Sequence, residues 1–307
     1  MIQRPRGGLC LSIALLVCLL LASCTPSATF DGQKAYEHIE SLCGFGPRDV
    51  GSEANQRAAD YIAETVESYG WTSVTQPFVY RGVAGHNVIA KRGRGPLIIL
   101  GTHYDTRPVA DRDPQDRSQP VMGANDGGSG AGVLLELARV LDRDVFDQAE
   151  VWLVFFDAED RGNLDDWEWC VGSEEFASRL DELTVKRPAY VLVIDMVGDD
   201  DQQIYCEWSS TLWLKEKVWG IADDLGYGAY FVADHRHTIL DDHTPFLDRG
   251  IPAAVVIDFD YPYWHTGHDT IDKISVESLQ RVGNVAETLL EGEPLVTVVE
   301  ERNRATE

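Results

Sequence analysis

The sequence predicts an α/β fold, a three-layer sandwich around a central mixed, mostly parallel β-sheet. Two observations carry that prediction. Short, continuous runs of β-branched and aromatic residues at 96–100, 151–156, 190–194 and 253–257 read as buried strands. Stretches with helical apolar spacing lie between them, the alternation that builds a sheet with helices on both faces. A third observation locates a site: His103, the Glu159-Asp160 pair, Asp195 and His265 each stand just past such a run, and Asp126 opens a helix after another loop. Side chains beyond the carboxyl ends of the strands of an open sheet converge on one rim. A rim of His, Asp and Glu has the donor set of a metal site.

The elements follow in order. Residues 34–42 have the spacing of a surface helix, a Gly-Phe-Gly-Pro turn follows, and Ser52 is placed to cap a second helix that runs to about Tyr69 and ends at Gly70. Residues 74–80 and 87–91 read as edge strands joined by a glycine-containing turn, and these make the sheet mixed. The strand at 97–102 delivers Gly101-Thr102-His103-Tyr104-Asp105 to the rim. The polar stretch 107–121 is a loop. It leads into Gly123-Ala124-Asn125-Asp126-Gly127-Gly128-Ser129-Gly130, whose glycines let the backbone turn sharply and approach a ligand, and then into an apolar helix at 131–141. That cluster lacks the G-K-[ST] of a phosphate loop and the G-x-G-x-x-G of a dinucleotide site, which argues against nucleotide binding. After the strand at 151–156 comes a tryptophan-bearing loop at 161–171 and a helix near 173–180. The strand at 190–194 ends at Asp195, before the acidic turn Asp199-Asp200-Asp201. A helix at 211–225, a loop at 234–242, a short helix at 244–249, the last buried strand and a closing helix at 276–290 complete the chain.

Length and composition fit one domain over residues 31–292, followed by a charged tail at 293–307. At the N-terminus, Arg4 and Arg6 precede an apolar stretch at 9–21, too short for a mature transmembrane helix and suited to a signal-peptide core. Leu21-Ala22-Ser23-Cys24 resembles the lipobox of bacterial lipoproteins. That resemblance implies cleavage after residue 23, lipidation of Cys24, a tether at 24–30, and an exported protein held to a bacterial membrane by lipid and facing outside the cytoplasm. An ordinary secretory signal with an incidental cysteine is the other reading, and it also exports the protein.

Removing residues 1–23 takes away Arg4 and Arg6 and no acid, so 24 basic residues face 51 acidic ones, a net of −27. Such a surface is a poor partner for nucleic acid. Cys43, Cys170 and Cys206 remain in the exported part; one disulfide is possible in an oxidising compartment, with the pairing open. No two of them sit in the C-x-x-C spacing of a zinc-thiolate site.

Taken singly, each rim residue has an ordinary structural explanation: a hydrogen-bonded His beside a strand, an Asp195 capping a turn, an Asp126 capping the following helix. Together they would bury mutually repelling carboxylates without a cation. The motifs Gly101–Asp105, Gly123–Gly130, Phe156-Asp157-Ala158-Glu159-Asp160, Ile194-Asp195-Met196-Val197-Gly198 and His265-Thr266-Gly267-His268-Asp269-Thr270 resemble, in order and spacing, those of the zinc aminopeptidase and glutaminyl cyclase superfamily, with its zinc-exopeptidase fold. Within it, Asp241-Asp242-His243-Thr244-Pro245-Phe246, Trp264 before His265, and Trp169-Cys170-Val171-Gly172-Ser173 resemble the bacterial cyclases.

The resemblance implies zinc on Asp126, Asp160 and His265, with Asp160 where many relatives have glutamate. His103 and Asp195 are implied as ligands of a second zinc in two-metal aminopeptidases, and as neighbours of a single zinc in cyclases; one ion is expected and two are possible. It implies Glu159 as proton shuttle, Asp195 and Asp241 as its acidic network, and Trp169 and Trp264 as substrate-binding aromatics. Peptide or protein N-termini would be the substrates. The expected activity is glutaminyl-peptide cyclotransfer, converting an N-terminal glutamine to pyroglutamate. Aminopeptidase hydrolysis on the same residues, and a non-catalytic binding ectodomain, are the alternatives.

Overall fold

A computed structural model describes Met1 and residues 30–292. The stretch expected to be a signal segment, the lipobox-like residues with Cys24, almost all of the expected tether and the tail at 293–307 lie outside the described residues. Among the described residues no helix is long and apolar enough to cross a membrane.

The chain runs α1 (Gly32–Gly44), α2 (Glu53–Ser68), β1 (Thr72–Tyr80), β2 (Val83–Gly93), β3 (Leu97–His103), α3 (Ser129–Val140), α4 (Arg143–Gln148), β4 (Glu150–Phe156), α5 (Val171–Ser178) and α6 (Leu180–Leu183). It continues β5 (Tyr190–Asp195), β6 (Ile204–Cys206), α7 (Leu212–Asp224), β7 (Phe231–His235), α8 (Thr244–Asp248), β8 (Ala253–Ile257) and α9 (Val276–Glu291). Six strands form one sheet in the order β1-β2-β4-β3-β5-β8. The pairs β1·β2 and β2·β4 are antiparallel, whereas β4, β3, β5 and β8 run parallel. The sheet is mixed and mostly parallel, as the apolar runs predict.

Alternation along the strands divides the core into two layers, because successive side chains leave a strand on opposite faces. Ile98, Leu100, Leu153, Phe155, Leu192, Ile194 and Val256 pack on one side with α1, α2, α3, α7 and α9. Leu97, Ile99, Trp152, Val154, Val191, Val193 and Val255 pack on the other with Phe176 and Ala177 of α5, Leu180 of α6 and Phe246 of α8. Both faces being covered explains why the strands read as continuous apolar runs.

Ser52 caps α2 as expected, its side chain accepting from the Asn55 N–H. Asp31 does the same for α1, which therefore starts before residue 34. Three expectations are corrected. The segment at 87–91 is not an edge strand: β2 lies between β1 and β4, and its polar Asn87 is buried with its amide donating to Gln76 Oε1 and Gly172 O. The loop at 234–242 begins inside a strand, since β6 and β7 pair as a small parallel sheet of their own. Cys43, Cys170 and Cys206 are all free thiols, so no disulfide joins them.

α3 starts directly over the strand ends, and Gly130 is what allows it. A Cβ there would stand 2.2 Å from Thr102 Oγ1 and 2.3 Å from the Ile194 carbonyl oxygen. Gly130→Ala is expected to cost about 1–3 kcal/mol through overpacking, read as a lower thermal midpoint. An unchanged midpoint would show that helix and sheet edge separate freely.

Candidate metal centre and active site

The parallel register brings the site residues to one level. His103 stands beside Phe156 across β3 and β4, and Gly101 beside Val193, so that His103 and Asp195, each two residues further on, reach the same rim. Past β4 the backbone takes a left-handed turn at Ala158 (φ 59°) into Glu159 and Asp160; Met196 (φ 45°) after Asp195 and His265 (φ 58°) do likewise. Left-handed backbone costs a non-glycine residue about 1–2 kcal/mol and persists where surrounding contacts impose it. Around Ala158 those contacts come from two buried aspartates, Asp105 and Asp157, and a third, Asp269, holds the loop that carries Asp126. Asp105 accepts from the N–H groups of Glu159 and Asp160, at 3.1 Å each. Asp157 accepts from Asn55, His86 N and Ala158 N. Asp269 accepts from Asn125 N at 2.9 Å, Asp126 N at 3.1 Å and the Tyr261 hydroxyl at 2.8 Å.

Two sets of donor atoms result, and Asp126 belongs to both. One atom from each of Asp126, Asp160 and His265 lies within 4.8 Å of the others, and the same holds for His103, Asp126 and Asp195. All five residues are buried. Asp126 does not cap α3, whose first turn has no side-chain cap.

The two sets differ in how their polar atoms are satisfied. His103 Nε2 lies 3.1 Å from Asp195 Oδ1 and 3.2 Å from Asp126 Oδ1, and its Nδ1 lies 3.4 Å from Asp105 Oδ1. Burial opposes a charge on His103, but Asp195, Asp105 and Asp126 together raise its pKa well above the usual imidazole value. In this set His103 Nε2 is bonded to Asp195, while its Nδ1 is buried without a hydrogen-bond partner. The other set is open: Asp126 Oδ2, Asp160 Oδ2 and His265 Nε2 are buried without a hydrogen-bond partner. His265 Nε2 and Asp160 Oδ1 approach to 2.9 Å. Burial, reinforced by Asp126, pushes the Asp160 carboxyl well up, while burial holds His265 down to about 4, neutral at ordinary pH. Unsatisfied buried polar atoms are costly, and a neutral imidazole facing two carboxylates is a donor set that fits zinc.

The outer contacts orient those donors. His265 Nδ1 lies 3.4 Å from Asp111 Oδ1, leaving Nε2 to face the carboxylates. Asp111 is gripped by Arg107 through two hydrogen bonds of 2.7 and 2.9 Å, and Arg107 Nη1 also donates to the carbonyls of Asp160 and Gly162. Trp169 stacks on the His265 ring, centroids 5.9 Å apart at 14°, and Trp264 tilts against it at 4.2 Å.

Beside the open set lies a cavity of about 220 Å³ lined by Asp126, Glu159, Asp160, Trp169, Asp195, Asp241, Trp264 and His265, with Met196, Ile239, Ile257 and Phe259 among its apolar walls. Glu159 is buried, and the Cys170 thiol donates to its Oε1 at 3.2 Å. Burial pushes Glu159 well above the usual carboxylate range, and Asp242, Asp160 and Asp241 add to this against His103. Asp241 is raised to about 7, first by burial and then by Asp195.

The profile of peptidase family M28 matches residues 87–290. The chain belongs to that family. Solved structures similar to this M28 chain include a glutaminyl cyclase of Tannerella forsythia, 33% identical with a TM-score of 0.80, covering 87% of this chain and 100% of that one. They also include a Zn-dependent exopeptidase of Parabacteroides distasonis, 30% identical with a TM-score of 0.80, covering 86% of this chain and 99% of that one. Aminopeptidase YwaD of Bacillus subtilis is 30% identical over 202 residues, 62% of this chain; the chain spans 39% of its length.

In this M28 chain eight of the residues singled out from sequence line one cavity: Asp126, Glu159, Asp160, Trp169, Asp195, Asp241, Trp264 and His265. His103 lies against them rather than in the lining, bonded to Asp195. Asp105 and Asp269 stand inside the quoted motifs, yet their role as acceptors for the M28 loop backbones appears only in three dimensions. The Arg107–Asp111 grip on His265 lies in a stretch that reads as plain loop. Cys170 sits inside the tryptophan motif, but nothing in its spacing announces a contact with Glu159, eleven positions earlier.

Proposed function

We propose that the protein is a zinc-dependent M28 enzyme that acts as a glutaminyl-peptide cyclotransferase, closing the N-terminal glutamine of a peptide to pyroglutamate and releasing ammonia. The observation that carries this reading is the grouping of Glu159, Asp195 and Asp241 around one small, apolar-walled cavity beside the open donor set. Both reactions return a proton to a departing nitrogen, hydrolysis taking it from water and cyclisation from the substrate's own amine, and a carboxyl with a raised pKa suits that exchange. Cyclisation also needs a small seat for a short, neutral side chain, which a cavity with apolar walls supplies. The similarity to the T. forsythia cyclase along nearly the whole domain supports the same reading.

Asp126, Asp160 and His265 would hold one zinc, whose Lewis acidity polarises an amide carbonyl. The chain's own residues do the rest. The walls of the cavity, with Trp169 and Trp264 beside His265, enclose a short neutral side chain and exclude water. Glu159 accepts a proton from the α-amine as its nitrogen bonds to the side-chain amide carbon. It then gives that proton to the amide nitrogen as the carbon–nitrogen bond breaks, and ammonia leaves. Burial, with Asp242, Asp160 and Asp241, raises Glu159 toward the range where both transfers are possible, and Asp195 raises Asp241 in turn. His103 stays bonded to Asp195, which favours a single ion.

Aminopeptidase hydrolysis is the second reading, favoured by the 4.8 Å grouping of His103, Asp126 and Asp195, which has the donors for a second ion. One assay separates the two. Zinc-loaded protein is given a Gln-initiated and a Leu-initiated peptide, and the products are weighed by mass spectrometry. Loss of ammonia from the first with the second intact is expected; release of free leucine would sink the cyclase. Export and a lipid anchor at Cys24 are part of the same proposal, tested by labelling with a radioactive fatty acid before and after Cys24→Ala.

A further inference from the structure

We infer that Arg112 selects substrates by the residue after the N-terminal one, favouring a carboxylate side chain at the second position. The inference rests on taking the cavity described above as the seat of the N-terminal residue. The cavity lining includes Asp126, Glu159, Asp160, Asp195 and Asp241, and the chain carries a net charge of −25. The guanidiniums of the surrounding loops are mostly neutralised: Arg107 by Asp111, Arg161 by Asp49 and Arg236 by Asp260. Arg112 differs. Among the described residues it forms no ion pair, its side chain is exposed, and its guanidinium lies over the Trp264 ring, 3.8 Å from the centroid. Its backbone N–H donates to the His265 carbonyl at 3.2 Å, which ties its position to the donor set itself.

Trp264 and His265 both line the cavity, so Arg112 stands at the cavity's lip, on the aromatic ring that walls it. With the first residue inside, the second Cα follows about 3.8 Å along the chain and its side chain emerges at that lip. A guanidinium stacked on an aromatic face keeps its planar edge free for bidentate pairing with a carboxylate. A cation without an ion pair among the described residues, at the lip of a cavity whose lining includes five acidic side chains, therefore attracts an acidic second residue and repels Lys or Arg.

The test compares kcat/KM for matched peptides Gln-Glu-Ala-Ala and Gln-Lys-Ala-Ala, both amidated. The wild type is expected to favour the first by about three- to tenfold, the range of an exposed ion pair set against the matching repulsion. Arg112→Gln, which keeps a planar group over Trp264, is expected to remove the preference. Arg112→Glu should invert it, and Arg112→Lys should retain it. About 0.5 M salt should collapse the wild-type ratio, which a purely structural role would not produce. A ratio that stays the same across the three variants overturns the inference while leaving the cyclase standing. If no glutamine peptide is cyclised, the cyclase reading fails instead, and the same ratio measured on release of leucine from Leu-Glu and Leu-Lys peptides decides for or against Arg112.

Discussion

Glu159→Gln lowers kcat on an N-terminal glutamine peptide by about 10²- to 10⁴-fold, the usual contribution of a positioned general base. The substitution removes proton transfer and little else. The Cys170 thiol still finds an oxygen to donate to at the position of Oε1. Burial already disfavours the charged form of Glu159, so a neutral isostere relieves a cost rather than creating one, and the thermal midpoint stays level or rises. Asp126, Asp160 and His265 are untouched, so the zinc content stays at the wild-type value. Steady-state kinetics, a melting curve and metal analysis on one preparation check all three. Wild-type turnover on both glutamine- and leucine-initiated peptides would refute Glu159 as the proton carrier for either reaction.

Asp126→Asn strips the protein of zinc. Asp126 is the one residue shared by both donor sets, and its Oδ2 faces the open one without a partner. An amide in that place contributes no charge against the ion. Affinity should fall by more than about 100-fold, the upper end for losing only an outer hydrogen bond. The zinc-dependent gain in thermal stability, about 2.7 kcal/mol at a zinc concentration 100 times Kd, should vanish with it. Dialysis followed by elemental analysis gives the stoichiometry: one zinc per chain in the wild type and none in Asp126→Asn. His103→Ala addresses the count. Retention of one zinc supports the closed His103–Asp195 pair as a buttress; two zincs in the wild type and one in His103→Ala would establish a two-metal site. Wild-type zinc in Asp126→Asn would remove the proposed centre altogether.

Most of the sheet was readable because its four parallel strands are buried on both faces, which leaves continuous apolar runs that no surface element resembles. β2 was harder. Its polar residues imitate an exposed edge, but Asn87 is satisfied by Gln76 and Gly172, and Lys91 lies over the Trp152 ring at 3.6 Å, so polarity there reports local partners rather than solvent. β6 and β7, three and five residues long, are too short to show a period. In the site, most donors were readable because they stand at or soon after the end of a strand, and Asp126 because it lies in a glycine cluster that opens α3. Their supports were not: Asp111 reaches His265 from a separate loop, and Arg112 shares that loop with no periodicity to mark it.

The sequence by itself determined the layer architecture, the rim on which the chemistry sits and the residues that can ligate a metal or carry a proton, since periodicity and placement after strands are local properties. Tertiary structure alone decided how those residues divide. Only folding bonds His103 Nε2 to Asp195, leaves Asp160 Oδ2 and His265 Nε2 unpaired beside Asp126, and lays the Cys170 thiol on Glu159. Burial and the field of neighbouring charges give the same carboxylate a different proton affinity at each place, and these depend on distances across the fold that no local pattern encodes.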